Sequence, residues 1–285
     1  MTTTEATLAS APAPAAAVRR PSALRLGLAR GLLDLKLFFR ERDAVVFTFA
    51  LPPTLLALLG SIFTDTFDNT TVTASQVFAA SMIAGGIGST SFVNLGIGMA
   101  TERDDGTLRR LHCVPMPPVA YLIGKVVLVL VTSLAELAVL LVVGVAFFDL
   151  TLPTTADRWL TFTWIFVLAT ISCSLLGIVI SNVARSARSA PAVVNLPFIV
   201  LEFISGVFIV PITQLPPFLL QVGALFPLKW AAQGFRSVFL PGTMAVNEAG
   251  GAWEHGRIAL VLGAWCVGGL LLCLMTFRWR GRRYR

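Results

Sequence analysis

Residues 126–148 read VVLVLVTSLAELAVLLVVGVAFF, a run of 23 positions in which Glu136 is the only ionisable side chain. As a helix rising 1.5 Å per residue, such a run is about 34 Å long, enough to cross a hydrocarbon core of about 30 Å. A helix that is apolar on every side belongs in a large core or in lipid, because any face left in water would oppose its folding. Five other runs have this character: 44–63, 76–99, 159–181, 192–212 and 258–277. The sequence predicts an all-α membrane protein with six transmembrane helices.

Composition agrees. Of 285 residues, 56% are apolar and 13% charged, against about a quarter charged in a soluble domain. That excludes both an ordinary soluble fold and a disordered charged tail. Cys113, Cys173, Cys266 and Cys273 show no Cys-x-x-Cys spacing, which argues against a disulfide scaffold. Pro52-Pro53 predicts a kink in the first span. The glycines of the second (Gly85, Gly86, Gly88, Gly96 and Gly98) predict close approach by a neighbouring helix.

The net charge of +7 is distributed as membrane-flanking charge, with seven basic residues before the first span and five in 278–285. This is not a nucleic-acid face. With the amino terminus inside, inner segments hold 18 Lys and Arg and outer segments four, so both termini are expected in the cytoplasm. Residues 1–20 read as a disordered cytoplasmic tail with no signal peptide, and 278–285 as a basic cytoplasmic tail.

Two segments are apolar but do not span. Residues 21–43 read as an amphipathic interface helix, with Leu24, Leu28, Leu32, Leu35, Phe38 and Phe39 on one face and Leu26, Leu33 and Leu37 forming a second stripe. Residues 216–240 are broken by Pro227, Lys229 and Arg236 into pieces too short to cross. They read as two half-length re-entrant helices dipping into the outer leaflet, with Phe218 and Trp230 at the interface.

Catalytic signals are absent. The Gly124-Lys125 pair lacks the rest of a phosphate loop. His112 and His255 are assigned to opposite aqueous loops, so no histidine metal site or Ser-His dyad is expected inside the membrane. The informative segment follows span two: Glu102-Arg103-Asp104-Asp105-Gly106-Thr107-Leu108-Arg109-Arg110-Leu111, then Pro115, Pro117-Pro118 and Gly124-Lys125. Its acids and arginines make a compact charged plug on the inner side, with Asp104 or Asp105 as helix cap and Pro115 as helix end. Read alone, it also fits a solvated connector.

This run resembles the cytoplasmic coupling element of ABC-type-2 permeases, whose usual form is Glu-Arg-x-x-Gly-Thr-Leu-Glu-x-Leu; Arg109 stands where that form is often acidic. The run Phe203-Ile204-Ser205-Gly206-Val207-Phe208, with Pro211 and Leu215-Pro216, is similar to the family's fifth span and its turn into outer re-entrant helices. The resemblance covers nearly everything after residue 20. It implies a permease paired with a second permease chain, as homodimer or heterodimer, and seated on two copies of a separate ABC ATPase subunit. ATP and Mg would be bound by that partner, leaving this chain with no cofactor and no catalytic site. The implied coupling residues are Glu102, Arg103, Asp105, Gly106, Thr107, Leu108, Arg109 and Leu111. Of these, Leu108 and Leu111 would be apolar anchors in the ATPase groove, and Glu102, Arg103 and Arg109 polar contacts.

Charge inside a membrane costs a few kcal/mol, so Glu136 and Glu202 invite a functional reading. Glu202, with Phe198 and Asn195 on the same span, is a candidate for the substrate path. Glu136 is a second, with Ser133 and Thr132 one turn back as local partners. The spans are aliphatic and Phe-rich with only two tyrosines in the chain, which favours a lipophilic or amphipathic small-molecule cargo such as an antibiotic. Export of a complex lipid or lipid-linked glycan is the alternative; an intramembrane enzyme or assembly factor is the alternative of another class. A bacterial plasma membrane is the expected location.

Overall fold

A computed structural model describes residues 22–67, 70–112 and 117–276, with the side chains of Arg109, Leu111, His112, Pro118, Leu274 and Thr276 outside the description. The two tails and the Pro115 helix end lie outside the described residues. Among those described the architecture is helical with no strand, only one isolated bridge between Thr66 and Thr73.

The chain begins with α1 (Ala23–Arg40), capped by the Ser22 hydroxyl accepting from the Arg25 amide, and α2 (Arg42–Ile62), which contains Pro52 and Pro53. Helix α3 (Ala74–Gly88) starts at a capping box. The Thr73 hydroxyl accepts from the Gln76 amide, and the Gln76 side chain accepts from Thr73. A π-helical turn, Ser89–Asn94, joins α3 to α4 (Leu95–Asp104) without interruption. A turn with Gly106 at φ +71 leads to the short α5 (Thr107–His112). Then come α6 (Pro118–Phe148), α7 (Ala156–Ser181) and α8 (Ala190–Ile204). The outer segment holds α9 (Pro217–Ala224) and α10 (Pro227–Phe239), and α11 (His255–Thr276) closes the bundle.

Five helical stretches are long and apolar enough to cross a membrane: Arg42–Ile62, Ala74–Asp104, Val119–Phe148, Ala156–Ser181 and His255–Cys273. The second is the centre of the fold. Fourteen of the fifteen residues of α3 are buried, surrounded by α2, α6, α7 and α10. Its small residues (Ala74, Ser75, Ala79, Ala80, Ser81, Ala84 and the glycines) let these neighbours approach its backbone.

Of the expected fifth span, 192–212, the α-helix covers only the part up to Ile204. Helix α8 has 15 residues, about 22 Å of rise, too short to cross unaided. It ends in a Schellman motif: the Val207 amide donates to Glu202 O at 3.1 Å, the Gly206 amide donates to Phe203 O at 3.4 Å, and Gly206 has φ +70. Glu202 therefore occupies the last turn of a short helix, not the middle of a long one.

Helix α1 packs along the amino-terminal half of α6, with Leu35 the one buried member of its leucine stripes. Its buried face is Gly27, Gly31, Asp34 and Leu35, while Leu24, Leu28, Leu32, Leu33 and Leu37 are exposed. A Cβ at Gly27 or Gly31 would lie 2.6 Å from Ile123 or 2.7 Å from Val127, so glycine sets the approach. Gly31→Val is expected to push α1 off α6 at a cost of about 1–3 kcal/mol. Faster proteolysis at the α1–α2 junction, with the spans intact, is the check; unchanged cleavage would show that the leucines carry the contact.

Candidate functional site

The charged run after span two folds as the last turn of α4, a glycine turn and α5. Three inward connections hold it. First, Glu102 enters an ion cluster with α1 and α6. Lys125 Nζ lies 2.6 Å from Glu102 Oε1 and 3.0 Å from Asp34 Oδ2. An Arg30 guanidinium nitrogen lies 2.9 Å from Asp34 Oδ1 and 3.4 Å from Glu102 Oε1. The Tyr121 hydroxyl donates to Glu102 Oε2 at 2.6 Å. Two cations and two anions thus neutralise one another where α1, α4 and α6 meet.

Second, Arg103 turns the other way. It donates to Asn182 Oδ1 at 2.8 Å, to the Ser181 carbonyl and to Ala184 O at 3.5 Å, all at the inner end of α7. Asp104 does not cap α5; its carboxylate accepts from the Ala187 amide at 2.9 Å in the α7–α8 connection. Asp105 is the C-cap of α4, and its carbonyl accepts from Arg110 at 2.9 Å. Third, Leu108 is buried beside Leu95, Met99, Tyr121, Val129, Ile178 and Cys273.

The expected outward contacts Glu102, Arg103 and Leu108 are therefore engaged within the chain. The physical reason is that α4 continues the axis of span two, so its last turn still faces α1, α6 and α7. Asp104, Asp105 and Arg110 are exposed, while Gly106 and Thr107 are half-buried. The side chains of Arg109 and Leu111 lie outside the described residues. Sequence reading missed Arg30, Asp34 and Tyr121 and assigned Lys125 to an inner loop. A signal was present: Arg30 and Asp34 stand at i,i+4 beside Gly27 and Gly31, which marks a charged pair on a close-packed helix face.

The membrane candidates converge on α3 from two sides. Glu202 Oε1 lies 3.0 Å from where a Cβ would stand at Gly85, and the Phe198 ring fills the corresponding place at Gly88 at 2.6 Å. Phe198 stacks on Phe92 with centroids 5.5 Å apart. Asn195 is half-buried one turn earlier. Glu136 approaches the next glycine, Gly86, from α6. Its expected partners are occupied elsewhere: Thr132 donates to Leu128 O at 2.9 Å and Val129 O at 3.1 Å, and Ser133 pairs with Thr90 at 2.6 Å.

At the opposite end of the bundle, α10 is buried along its whole length. Its Arg236 is the hub. Arg236 binds both Glu248 oxygens at 2.5 and 3.0 Å, Ser81 Oγ at 3.0 Å and Gly206 O at 3.0 Å. Lys229 lies 4.0 Å from the Trp230 ring centroid. Burial pulls its ammonium below the ordinary lysine value, and Glu248 and Glu254 pull it back up. Trp230, expected at the interface, is buried and donates to Ala224 O at 2.8 Å, whereas Phe218 is exposed.

Residues 30–240 match the family described as ABC-2 type transporter. The chain is also similar to two proteins that carry the name transport permease ycf38. That of Porphyra purpurea is 27% identical over 248 residues, covering 81% of this chain and 84% of the relative. That of Pyropia yezoensis is 26% identical over 249 residues, covering 83% and 79%.

Proposed function

The chain belongs to the ABC-2 type transporter family, and from that premise we propose that it is the permease subunit of an ATP-driven exporter. Two copies of a separate ATPase would bind ATP and Mg beneath a pair of permease chains, in a bacterial plasma membrane with both termini in the cytoplasm. The cargo class is a lipophilic or amphipathic small molecule, consistent with an aliphatic, Phe-rich interior. Glu202, Phe198 and Asn195 are the proposed cargo-facing residues.

The observation that carries this reading is the inward bracing of the coupling segment. Glu102, Arg103 and Asp104 are consecutive, yet they tie one short segment to α1 and α6, to α7, and to the α7–α8 connection. A push on α5 from a partner below would therefore reach three helices and the α7–α8 connection at once. The exposed face of the segment (Asp105 and Arg110) is then the docking surface, and the braces transmit the motion.

Glu102→Gln keeps the shape and the Tyr121 hydrogen bond but removes the charge opposite Lys125 and Arg30. Efflux of a cationic dye should fall about 5- to 150-fold, the range of a coupling free energy of 1–3 kcal/mol, while co-purification with the ATPase persists. Normal efflux in this variant would return the segment to a passive connector. Loss of the ATPase together with efflux would instead make Glu102 part of the docking surface.

A further inference from the structure

Glu136 has no exposed surface, and neither of its carboxyl oxygens has a hydrogen-bond partner. It takes part in no ion pair among the described residues. Near the middle of α6, its Cγ lies 2.9 Å and its Oε1 3.4 Å from the place a Cβ would occupy at Gly86. Leu140 Cδ1, 2.6 Å from the same point, closes the socket. The carboxyl group is thus lodged against bare helix backbone where no water reaches it.

An ionised carboxylate left this way, with no cation and no donor, is far costlier than the neutral acid. The surroundings supply no counter-charge. Helix α3 and the π-helical turn contain no titratable side chain. Arg30 and Asp34 of α1 meet α6 at its inner end, beside Gly124 and Lys125. Helix α2 carries charge only at Arg42 and Asp43, at its first two residues. Those of α7 are Asp157 and Arg158, in its first turn, with the thiol of Cys173 further along. On α6 itself Tyr121 and Lys125 lie three or more turns away, and Asp149 follows its far end. Glu202 approaches the adjacent Gly85, from α8.

Two hydroxyls stand one turn away. Thr90 and Ser133 are 2.6 Å apart, and Thr90 Oγ lies 3.2 Å from the Gly86 carbonyl and 3.0 Å from that of Ile87. They sit where α3 passes into the π-helical turn, a local winding that recurs at functional sites.

We propose that Glu136 is a proton-binding site of the permease, protonated while α3 lies against α6 and deprotonated when the two helices part. On separation the O–H bond breaks, the electron pair stays on the carboxylate, and the proton passes to incoming water. Closure reverses the exchange. This goes beyond the exporter reading and rests on it only for the movement of α3.

The test uses the full chain in lipid vesicles, without ATPase or cargo, so its failure leaves the exporter reading standing. Infrared spectra should contain a protonated-carboxyl band whose Glu136 component disappears in Glu136→Gln, any remainder belonging to Glu202, and dicyclohexylcarbodiimide, which modifies protonated acids in apolar surroundings, should label Glu136. A band unchanged in the Gln variant, with Glu136 unlabelled, would overturn the proposal. Protection from labelling by sodium ions at constant pH would also overturn it, in favour of a cation site. Gly86→Ala is the second variant: its methyl group, directed at Glu136 Cγ and Leu140 Cδ1, should part the helices slightly and shift loss of the band to lower pH. An identical pH profile in Gly86→Ala and the parent would rule out the link to α3.

Discussion

Lys125→Met is expected to cost about 3–5 kcal/mol of stability, because it strands two carboxylates in a closed space. Lys125 is 7% exposed at its side chain, and its ammonium bridges Asp34, 4% exposed, and Glu102, 20% exposed. Without it, Arg30 alone faces both acids, and it lies closer to Asp34 than to Glu102. The loss would be local at first: α1 should detach from α6, because the cluster and the Gly27–Gly31 face are what hold it there. Thermal unfolding in detergent, followed by the recovery of monodisperse protein, reads the loss. Adding Asp34→Asn should restore part of it, since the second change removes the stranded charge; a double-mutant cycle isolates that coupling. Full stability in Lys125→Met would mean that the cluster is held by Arg30 alone.

Arg236→Met is expected to be comparably severe, about 3–5 kcal/mol, with its effect on the outer side. Arg236 and Glu248 are each 4% exposed at their side chains, so the carboxylate would be left buried and unpaired. Ser81 on α3 and the Gly206 carbonyl, just past the stop of α8, would lose their donor too. Arg236→Lys should recover only part, because one ammonium cannot reproduce a planar fork serving three partners. Cysteine placed at Met244, buried beside this hub, should be unreactive to a membrane-impermeant thiol reagent in the parent and react readily in Arg236→Met. Equal reactivity in both would show that apolar packing of α10 is sufficient to hold the outer segment.

Legibility in the sequence followed the length scale of the signal. Runs of twenty apolar residues announce themselves by composition, and five spanning stretches stand where they were expected. The end of the helix in 192–212 was missed because Ser205-Gly206 lies inside an apolar run. In lipid, glycine is tolerated within helices, and only the φ of Gly206 shows that it ends one. The charged segment was recognisable as a unit, but the direction of its side chains was not. Glu102 and Arg103 are neighbours in sequence but point about 100° apart around a helix, and their partners Arg30 and Asn182 are remote along the chain. Glu136 was legible as unusual, yet the expectation that nearby hydroxyls would satisfy it failed because Thr132 bonds to backbone carbonyls and Ser133 to Thr90. Pairings of this kind are decided by tertiary proximity, on which periodicity is silent.

The π-helical turn at Ser89–Asn94 makes the long second span strict about length. One extra residue in a helix rotates everything beyond it by about 100°. The outer part of that span shows its glycines to α6 and α8, while the inner part shows Glu102 to α6 and Arg103 to α7. Remove a single residue from the turn, and no side chain changes identity, yet both braces swing about a quarter of a revolution away from their sockets. The azimuth of the charged segment is thus stored as a residue count, some eight positions upstream of where it is used.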